Sequence, residues 1–87
     1  MVEAYVLIQT KVGDAGRVSR DLGRIPGIVS CDPVTGPYDV VARVEASDLD
    51  DLGSVVAVHV QGIEGITRTE SFLYLKLVKQ TYDWGAR

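Results

Sequence analysis

The sequence has few of the residues that small domains commonly use for cross-linking, metal binding or nucleophilic catalysis. Its 87 residues include one cysteine, Cys31, and one histidine, His59. A lone cysteine cannot form a disulfide within the chain, and an unpaired thiol is typical of a reducing cytoplasm. No CxxC or HxxxH spacing occurs, so a transition-metal site has no ligand set. Phosphate-binding glycine motifs are also absent. The sequence therefore predicts a cytoplasmic protein without a metal ion or another cofactor.

Long apolar runs and an excess of positive charge are lacking as well. No apolar run approaches the roughly 20 residues that a membrane helix requires, and no basic region precedes the first apolar segment, as it would in a signal peptide. Twelve acidic residues against nine basic ones give a net charge of -3. That balance disfavours a domain that binds nucleic acid by neutralising phosphates. Arg17, Arg20 and Arg24 share one helix face, which we interpret as a solvated surface. We expect neither a membrane nor a direct nucleic-acid partner.

The apolar residues that are present recur with alternating strand and helix periods. Strand-like alternation occurs in residues 2–10, 28–31, 39–46 and 66–79, and helical spacing in residues 15–25 and 49–60. The tetrapeptides IPGI and IEGI follow the two helices and begin at residues 25 and 63, which are 38 residues apart. Such a repeat is expected of a doubled β-α-β unit. The pattern predicts one domain over residues 1–87 with the α+β, ferredoxin-like βαββαβ fold, in which both helices cover one face of a four-stranded antiparallel sheet.

The other face of this sheet has no helix to cover it. Strand alternation places a set of large apolar residues there: Tyr5, Leu7, Val41, Phe72, Tyr74 and Val78. An exposed patch of this size usually marks an interaction surface, and two-fold dimers are the most common closed assemblies. We therefore expect a homo-oligomer, a dimer or larger. The final segment, residues 82–87 with Trp84, fits either an unstructured end or an oligomer contact.

Polar and flexible residues gather in VTGPYD, residues 34–39, just before the third strand. Gly36 lets the backbone bend and lets a ligand approach it. Asp39 offers a carboxylate, and Thr69 and Ser71 offer hydroxyls. Together these groups are suited to a zwitterion, with the carboxylate binding its amine and the N–H and hydroxyl groups its carboxylate. The alternative is that Asp39 only caps its turn and that Thr69 and Ser71 are present because such residues favour a strand. The spacing alone supports this structural alternative better than a binding site.

The same segments resemble the effector-binding domain of the Lrp/AsnC (feast/famine) transcriptional regulators, often called the RAM domain. The resemblance lies in V-T-G-P-Y-D followed by an alternating strand, and in G-I-T-R-T-E-S-F (65–72) at the start of the last strand. It covers essentially the whole chain. Members of this family bind free amino acids or related metabolites between dimers of a larger assembly. The resemblance implies an effector loop and two strand partners: Thr35, Gly36, Pro37, Tyr38 and Asp39, with Thr69 and Ser71.

Regulators of that family carry an N-terminal helix-turn-helix, whereas here the effector fold starts at residue 2. The resemblance thus implies a stand-alone, non-enzymatic, oligomeric module that binds an amino acid. Its candidate partner is a full-length Lrp/AsnC regulator, reached through mixed assembly. The mechanism would be linkage, in which the effector favours one assembly over another.

Two other functions remain open. Small ferredoxin-like dimers also form α+β barrels that act as enzymes without cofactors, and these typically place a polar group such as histidine inside the barrel. His59 is expected on a helix, which disfavours that function. The protein could also be a structural assembly subunit that binds no ligand.

Overall fold

The computed structural model describes residues 1–74. Its elements in chain order are β1 (Val2–Thr10), α1 (Ala15–Leu22), β2 (Ile28–Pro33), β3 (Val40–Ala46), α2 (Leu49–Ser54) with a directly continuing π-helical segment (Val55–Val60), and β4 (Ile66–Tyr74). This order confirms the predicted ferredoxin-like fold. The predicted last strand, 66–79, runs to Tyr74, and residues 75–79, Val78 and the segment 82–87 lie outside the described residues.

The four strands form one antiparallel sheet in the order β2-β3-β1-β4. Val6, in the middle of β1, lies opposite Ala42 of β3 and Ser71 of β4. The pairing of β1 with β4 shifts register between Gln9 and Thr10. Pro33 ends the edge strand β2, a position where a missing N–H costs no ladder hydrogen bond. The sheet thus has a central strand, β1, whose side chains alternate between two different environments.

The core lies between the sheet and the helices and is entirely aliphatic. It contains alternate residues of β1 and β3 and the inner residues of both helices: Ala4, Val6, Ile8, Val18, Leu22, Val40, Ala42, Val44, Ala46, Leu52, Val55, Val56 and Val60. Because side chains alternate along a strand, the even-numbered residues of β1 and β3 all face the helices. Cys31 packs at the edge of this core, where its Sγ donates to the Ser19 carbonyl oxygen at 3.1 Å. Cys31 thus acts as a small, partly buried packing residue.

The second helix begins with an N-cap at Asp48. The Asp48 side chain accepts a hydrogen bond from the Asp51 N–H at 2.7 Å, and the Asp51 carboxylate accepts one from the Ser47 N–H at 3.0 Å. These two hydrogen bonds satisfy backbone donors that have no partner within a helix. Asp50 and Asp51 in the first turn also complement the helix dipole.

The same helix differs from the regular one predicted over residues 49–60. From Val55 it is a π-helix, and the Gln61 N–H donates to the Val56 carbonyl oxygen at 3.0 Å, five residues back. Val55, Val56 and Val60 of this segment are buried against the core. His59 is exposed on the outer side of the segment, as expected of a helix-surface residue.

The side of the sheet opposite the helices is called the open face. It carries the odd-numbered residues of β1 and their register partners: Glu3, Tyr5, Leu7, Gln9, Val41, Arg43, Glu45, Arg68, Glu70, Phe72 and Tyr74. Tyr5, Phe72 and Tyr74 are 40%, 49% and 45% exposed. The rings of Tyr5 and Tyr74 meet edge to face at 5.8 Å. The structure therefore places five of the six predicted surface residues there, and the sixth, Val78, is outside the described residues.

A charged group crosses the middle of the open face. Arg43 Nη2 donates to Glu3 Oε1 at 2.9 Å and to Glu45 Oε2 at 3.2 Å. The hydrogen bond and charge of Glu3 raise the pKa of the Arg43 guanidinium above its ordinary value. The face is therefore apolar around Tyr5, Phe72 and Tyr74, and a charged group lies across β1 and β3.

Candidate functional site

Asp39 fixes the base of the loop between β2 and β3 against the end of β1. Its N–H donates to the Ile8 carbonyl oxygen at 2.8 Å, and its own carbonyl accepts from the Val34 N–H at 2.9 Å. Its side-chain Oδ2 accepts from the Thr10 N–H at 2.8 Å and from Thr10 Oγ1 at 3.4 Å. Thr10 is buried and follows the register shift in β1, so its N–H would otherwise lack an acceptor there. The carboxylate thus takes the place of a strand carbonyl.

This arrangement bears on the two interpretations of Asp39. Its role in holding the turn is present in the structure, since one carboxylate oxygen is committed to Thr10. The other oxygen, Oδ1, receives no hydrogen bond from residues 1–74. A carboxylate has about four acceptor positions, so the same residue retains capacity for a ligand. A ligand contact at Asp39 stays a prediction.

Tyr38 connects the same loop to β4. Its hydroxyl donates to Glu70 Oε1, across 32 residues of sequence. This hydrogen bond to Glu70 raises the pKa of Tyr38 above its ordinary value, partial burial adds to the rise, and the positive charge of Arg68 opposes it. Arg68 and Glu70 are two residues apart in β4 and lie on the open face. Where the loop meets β4, the Tyr38 hydroxyl, the Glu70 carboxylate and the Arg68 guanidinium therefore lie close together.

The tip of the loop is open to solvent. Thr35, Gly36 and Pro37 are exposed, and a shallow concavity lies beside them, lined by Pro33, Val34 and Thr35. Gly36 has φ of 134°, and no atom lies within 4 Å of the position that a Cβ would occupy. Its glycine is required by backbone conformation and not by crowding, because side-chain-bearing residues rarely adopt this φ. The backbone at the tip is accessible to a ligand.

Thr69 and Ser71 lie on the other side of β4. They are opposite Ile8 and Val6 in register, and those two residues face the helices. Thr69 Oγ1 accepts a hydrogen bond from Gln61 Nε2 at 2.9 Å, whereas Ser71 is exposed. The structure thus brings Tyr38 to Glu70 but leaves the two predicted hydroxyls on the opposite face within the same chain.

Four polar residues of this region were not identified from the sequence: Thr10, Gln61, Arg68 and Glu70. For Arg68 and Glu70 a signal existed, because two opposite charges two residues apart in a strand lie on one face. The Thr10–Asp39 and Gln61–Thr69 contacts have no such signal, since they depend on the register shift in β1 and on the end of the π-helical segment.

Residues 1–74 offer little support for other kinds of site. That part of the chain holds no group of three or more His, Cys, Asp or Glu side chains arranged to bind a metal ion. None of its helices is long and apolar enough to cross a membrane. His59 is exposed on the outer side of the π-helical segment and does not face the sheet. His59 is therefore not placed as the polar residue that a cofactor-independent barrel enzyme carries in its interior.

Sequence comparison identifies relatives over almost the whole chain. The family of the Lrp/AsnC ligand binding domain matches residues 3–84. The HTH-type transcriptional regulator FL11 of Pyrococcus furiosus is 32% identical over 80 residues, which are 92% of this chain and 52% of that protein. The chain spans about half the length of the curated relatives that it matches.

Comparison with solved structures gives the same result. The protein TTHA0845 of Thermus thermophilus has a TM-score of 0.84 and 31% identity, over 92% of this chain and 100% of that one. A Neisseria meningitidis transcriptional regulator, solved as an L-Met complex, shares the fold with a TM-score of 0.77 and 21% identity, over 92% of this chain and 53% of that one. The predicted βαββαβ fold and the matched motifs agree with these findings. The chain belongs to the Lrp/AsnC ligand-binding domain family.

Proposed function

We propose that the protein binds a small amino-acid-like effector through the loop of residues 35–39. The observation that carries the proposal is that this loop is anchored at its base and has an accessible backbone at its tip. Asp39 anchors its base to Thr10, Tyr38 links it to Glu70, and Gly36 at its tip leaves the backbone accessible. Binding loops of this kind, held by a rigid scaffold, are common sites of recognition. Family membership and the L-Met complex of the Neisseria regulator, a property of that protein, support the ligand class.

The effector site would be shared between two copies of the chain. The loop and Glu70 face one side of β4, whereas Thr69 and Ser71 face the other. One small ligand therefore contacts both sets only when they come from different copies. In that arrangement, the backbone of one copy's loop and the hydroxyls of another bind the ligand carboxylate. Asp39 or Glu70 binds its amine.

Self-association into dimers would occur through the open face, with its exposed Tyr5, Phe72 and Tyr74. The shared site would then lie between copies of different dimers, because Thr69 and Ser71 face away from the open face. A ligand bound between copies stabilises the arrangement that contains its complete site, by the difference in its affinity for the two states. A full-length Lrp/AsnC regulator with a similar sheet would be a partner, and it would associate through the same open face. The protein would then pass its effector state to that regulator.

The first test is a thermal-shift screen against single free amino acids. A ligand at about 100 times its dissociation constant adds roughly 2.7 kcal/mol to the free energy of unfolding. We expect one side-chain class to raise the midpoint, and Thr35→Ala and Ser71→Ala each to reduce the rise. Ser54→Ala, on the exposed side of α2, is the control and should leave it unchanged. If no amino acid raises the midpoint, the effector proposal is wrong.

A mixing experiment tests whether the site is shared. Gly36→Val disables the loop and Ser71→Leu the strand, so each variant alone should bind no effector. When equal amounts are unfolded and refolded together, about a quarter of the sites should combine an intact loop with an intact strand, because each half is intact in half of the copies. Binding is measured by isothermal titration calorimetry. A mixture that binds no more than either variant alone would place the site within one chain.

A further inference from the structure

A polar concavity lies at the start of β4, beside the end of the π-helical segment. It has a volume of about 320 Å³ and is lined by Gln61, Ile66, Thr67, Arg68 and Thr69. Because β4 is an edge strand of the sheet, residues from both of its faces border the space at its outer edge. Thr69 is one of the residues of the effector site proposed above, so the concavity adjoins that site.

The hydrogen bonds around the concavity determine which of its groups are available to a ligand. Thr67 Oγ1 donates to the Gln9 carbonyl oxygen at 3.1 Å, so its proton is used within the chain. Gln61 Nε2 donates to Thr69 Oγ1 at 2.9 Å. Because Thr69 Oγ1 is the acceptor in this contact, its own hydroxyl proton is available to a ligand. Gln61 thus positions the Thr69 hydroxyl as a donor, which suits the carboxylate that all amino acids share.

Arg68 supplies a further donor group to the concavity, and it is exposed. It forms no ion pair within residues 1–74. Glu70, two residues further along β4, accepts a hydrogen bond from the Tyr38 hydroxyl instead. The arginine side chain carries five N–H donors in a planar fork whose geometry matches a carboxylate. Arg68 therefore retains the capacity to bind a carboxylate of a ligand.

Arg68 is close to both halves of the proposed effector site. On the loop side, Glu70 and partial burial raise the pKa of Tyr38 and the positive charge of Arg68 opposes that rise, so Arg68 lies near Tyr38. It also shares the open face with Glu70, roughly 7 Å away along the strand. On the strand side it lines the concavity together with Thr69. An Arg68 guanidinium is therefore present at the ligand whether the loop and the strand come from one copy or from two.

We propose that Arg68 selects effectors with an acidic side chain, aspartate or glutamate. This inference rests on the proposed function and adds the class of side chain. In the effector site the loop backbone and the Thr69 hydroxyl bind the carboxylate at the α-carbon, and Asp39 or Glu70 binds the amine. The guanidinium is then left for a second carboxylate. Asparagine and glutamine have nearly the same shape as the two acids, but their amide presents one acceptor oxygen and an NH₂ donor to the same fork.

Isothermal titration calorimetry compares each acid with its amide: aspartate with asparagine, and glutamate with glutamine. The wild type should bind at least one acid about 10- to 100-fold more tightly than its amide, as expected of hydrogen bonds between charged groups. Arg68→Gln should reduce this ratio to about one through weaker binding of the acid. Arg68→Lys keeps the charge without the fork and should give an intermediate ratio. The matched control is Arg20→Gln, because Arg20 is also exposed and forms no ion pair within residues 1–74. Its ratio should equal that of the wild type.

The outcomes separate this inference from the proposed function. If the wild type binds neither acid more tightly than its amide, or binds a neutral amino acid best, selection by Arg68 is refuted and effector binding stands. An unchanged ratio in Arg68→Gln assigns the selection to another group and also refutes the proposal. If Arg68→Gln weakens the acid and the amide equally, Arg68 binds the carboxylate at the α-carbon and does not select the side chain. Only a failure to bind any amino acid refutes both the inference and the proposed function.

Discussion

Replacing Asp39 with alanine tests whether this residue is a structural anchor, a ligand contact or both. The substitution removes the acceptor of the Thr10 N–H, which lies 2.8 Å from the carboxylate, and the weaker contact with the Thr10 hydroxyl at 3.4 Å. Leaving a buried backbone donor without its partner costs about 1–3 kcal/mol. We therefore expect the free energy of unfolding to fall by about that amount. For a domain of this length, each kcal/mol corresponds to a fall of about 4–8 °C in the thermal midpoint.

The assay is urea unfolding followed by circular dichroism, at one fixed protein concentration because self-association adds to apparent stability. Asp39→Asn retains a carbonyl oxygen that accepts from Thr10. A hydrogen bond without charge is about half as strong, so this variant should lose roughly half as much. Asp32→Ala is the matched control, since Asp32 is an exposed carboxylate in the edge strand β2. A surface change of that kind should stay within about 0.5 kcal/mol.

The two roles of Asp39 separate in the comparison of stability with ligand response. If Asp39→Ala is no less stable than Asp32→Ala, the anchor to Thr10 contributes nothing and our reasoning about the loop base is wrong. If Asp39→Asn folds well and has lost the effector response, the charge itself contacts the ligand. If Asp39→Asn keeps the response, Asp39 acts on the loop only.

Three other predictions concern the contacts around the site and the open face. The raised pKa of Tyr38 means that its hydrogen bond to Glu70 is present below the ordinary tyrosine pKa of about 10 and is lost as the pH rises through the raised value. The tyrosinate absorbance of the wild type minus that of Tyr38→Phe should show this late titration, and a normal curve would contradict it. Gly65→Ala should cost about 1–2 kcal/mol because Gly65 has φ of 101°; Gly53→Ala, with open space around it in α2, should stabilise by up to about 1 kcal/mol. Equal urea midpoints for these two variants would contradict the expectation. Phe72→Asp should reduce the mass measured by sedimentation equilibrium and leave the circular dichroism unchanged; an unchanged mass would exclude the open face as the contact between copies.

The fold was predictable because its signals are local. Alternation in β1 and β3, helical spacing and the N-cap at Asp48 each depend on residues within one element, and the repeated IPGI and IEGI segments mark where each helix gives way to a strand. The π-helical segment was not predictable, because the sequence of residues 55–60, Val-Val-Ala-Val-His-Val, is equally compatible with an ordinary α-helix. Leu52, Val55, Val56 and Val60 have the i, i+3, i+4 and i+8 spacing of an ordinary amphipathic helix, so the pattern carries no signal for the wider turn.

The candidate site was only partly predictable, because its contacts join distant parts of the chain. VTGPYD was identifiable as a loop with unusual chemistry. Glu70 was missed, although it lies between Thr69 and Ser71, because its role depends on Tyr38 reaching β4 from 32 residues away. Strand parity gives the face on which each residue of β4 lies. It does not give the loop conformation that decides which of those faces Tyr38 approaches.

The central position of β1 also has a consequence for how the chain folds. Its neighbours in the sheet are β3 and β4, and Glu3 pairs with Tyr74 near the other end of the described chain. Pairings between residues so far apart in sequence close large loops and make folding slow. During synthesis β1 is made first, yet its aliphatic Val6-Leu7-Ile8 run has no strand partner until β3 and then β4 emerge. In that interval the nascent chain exposes an unpaired apolar strand, which is the form most prone to aggregate. Slower translation would lengthen this interval, so the yield of folded protein should depend on the rate of synthesis as well as on the stability of the folded state.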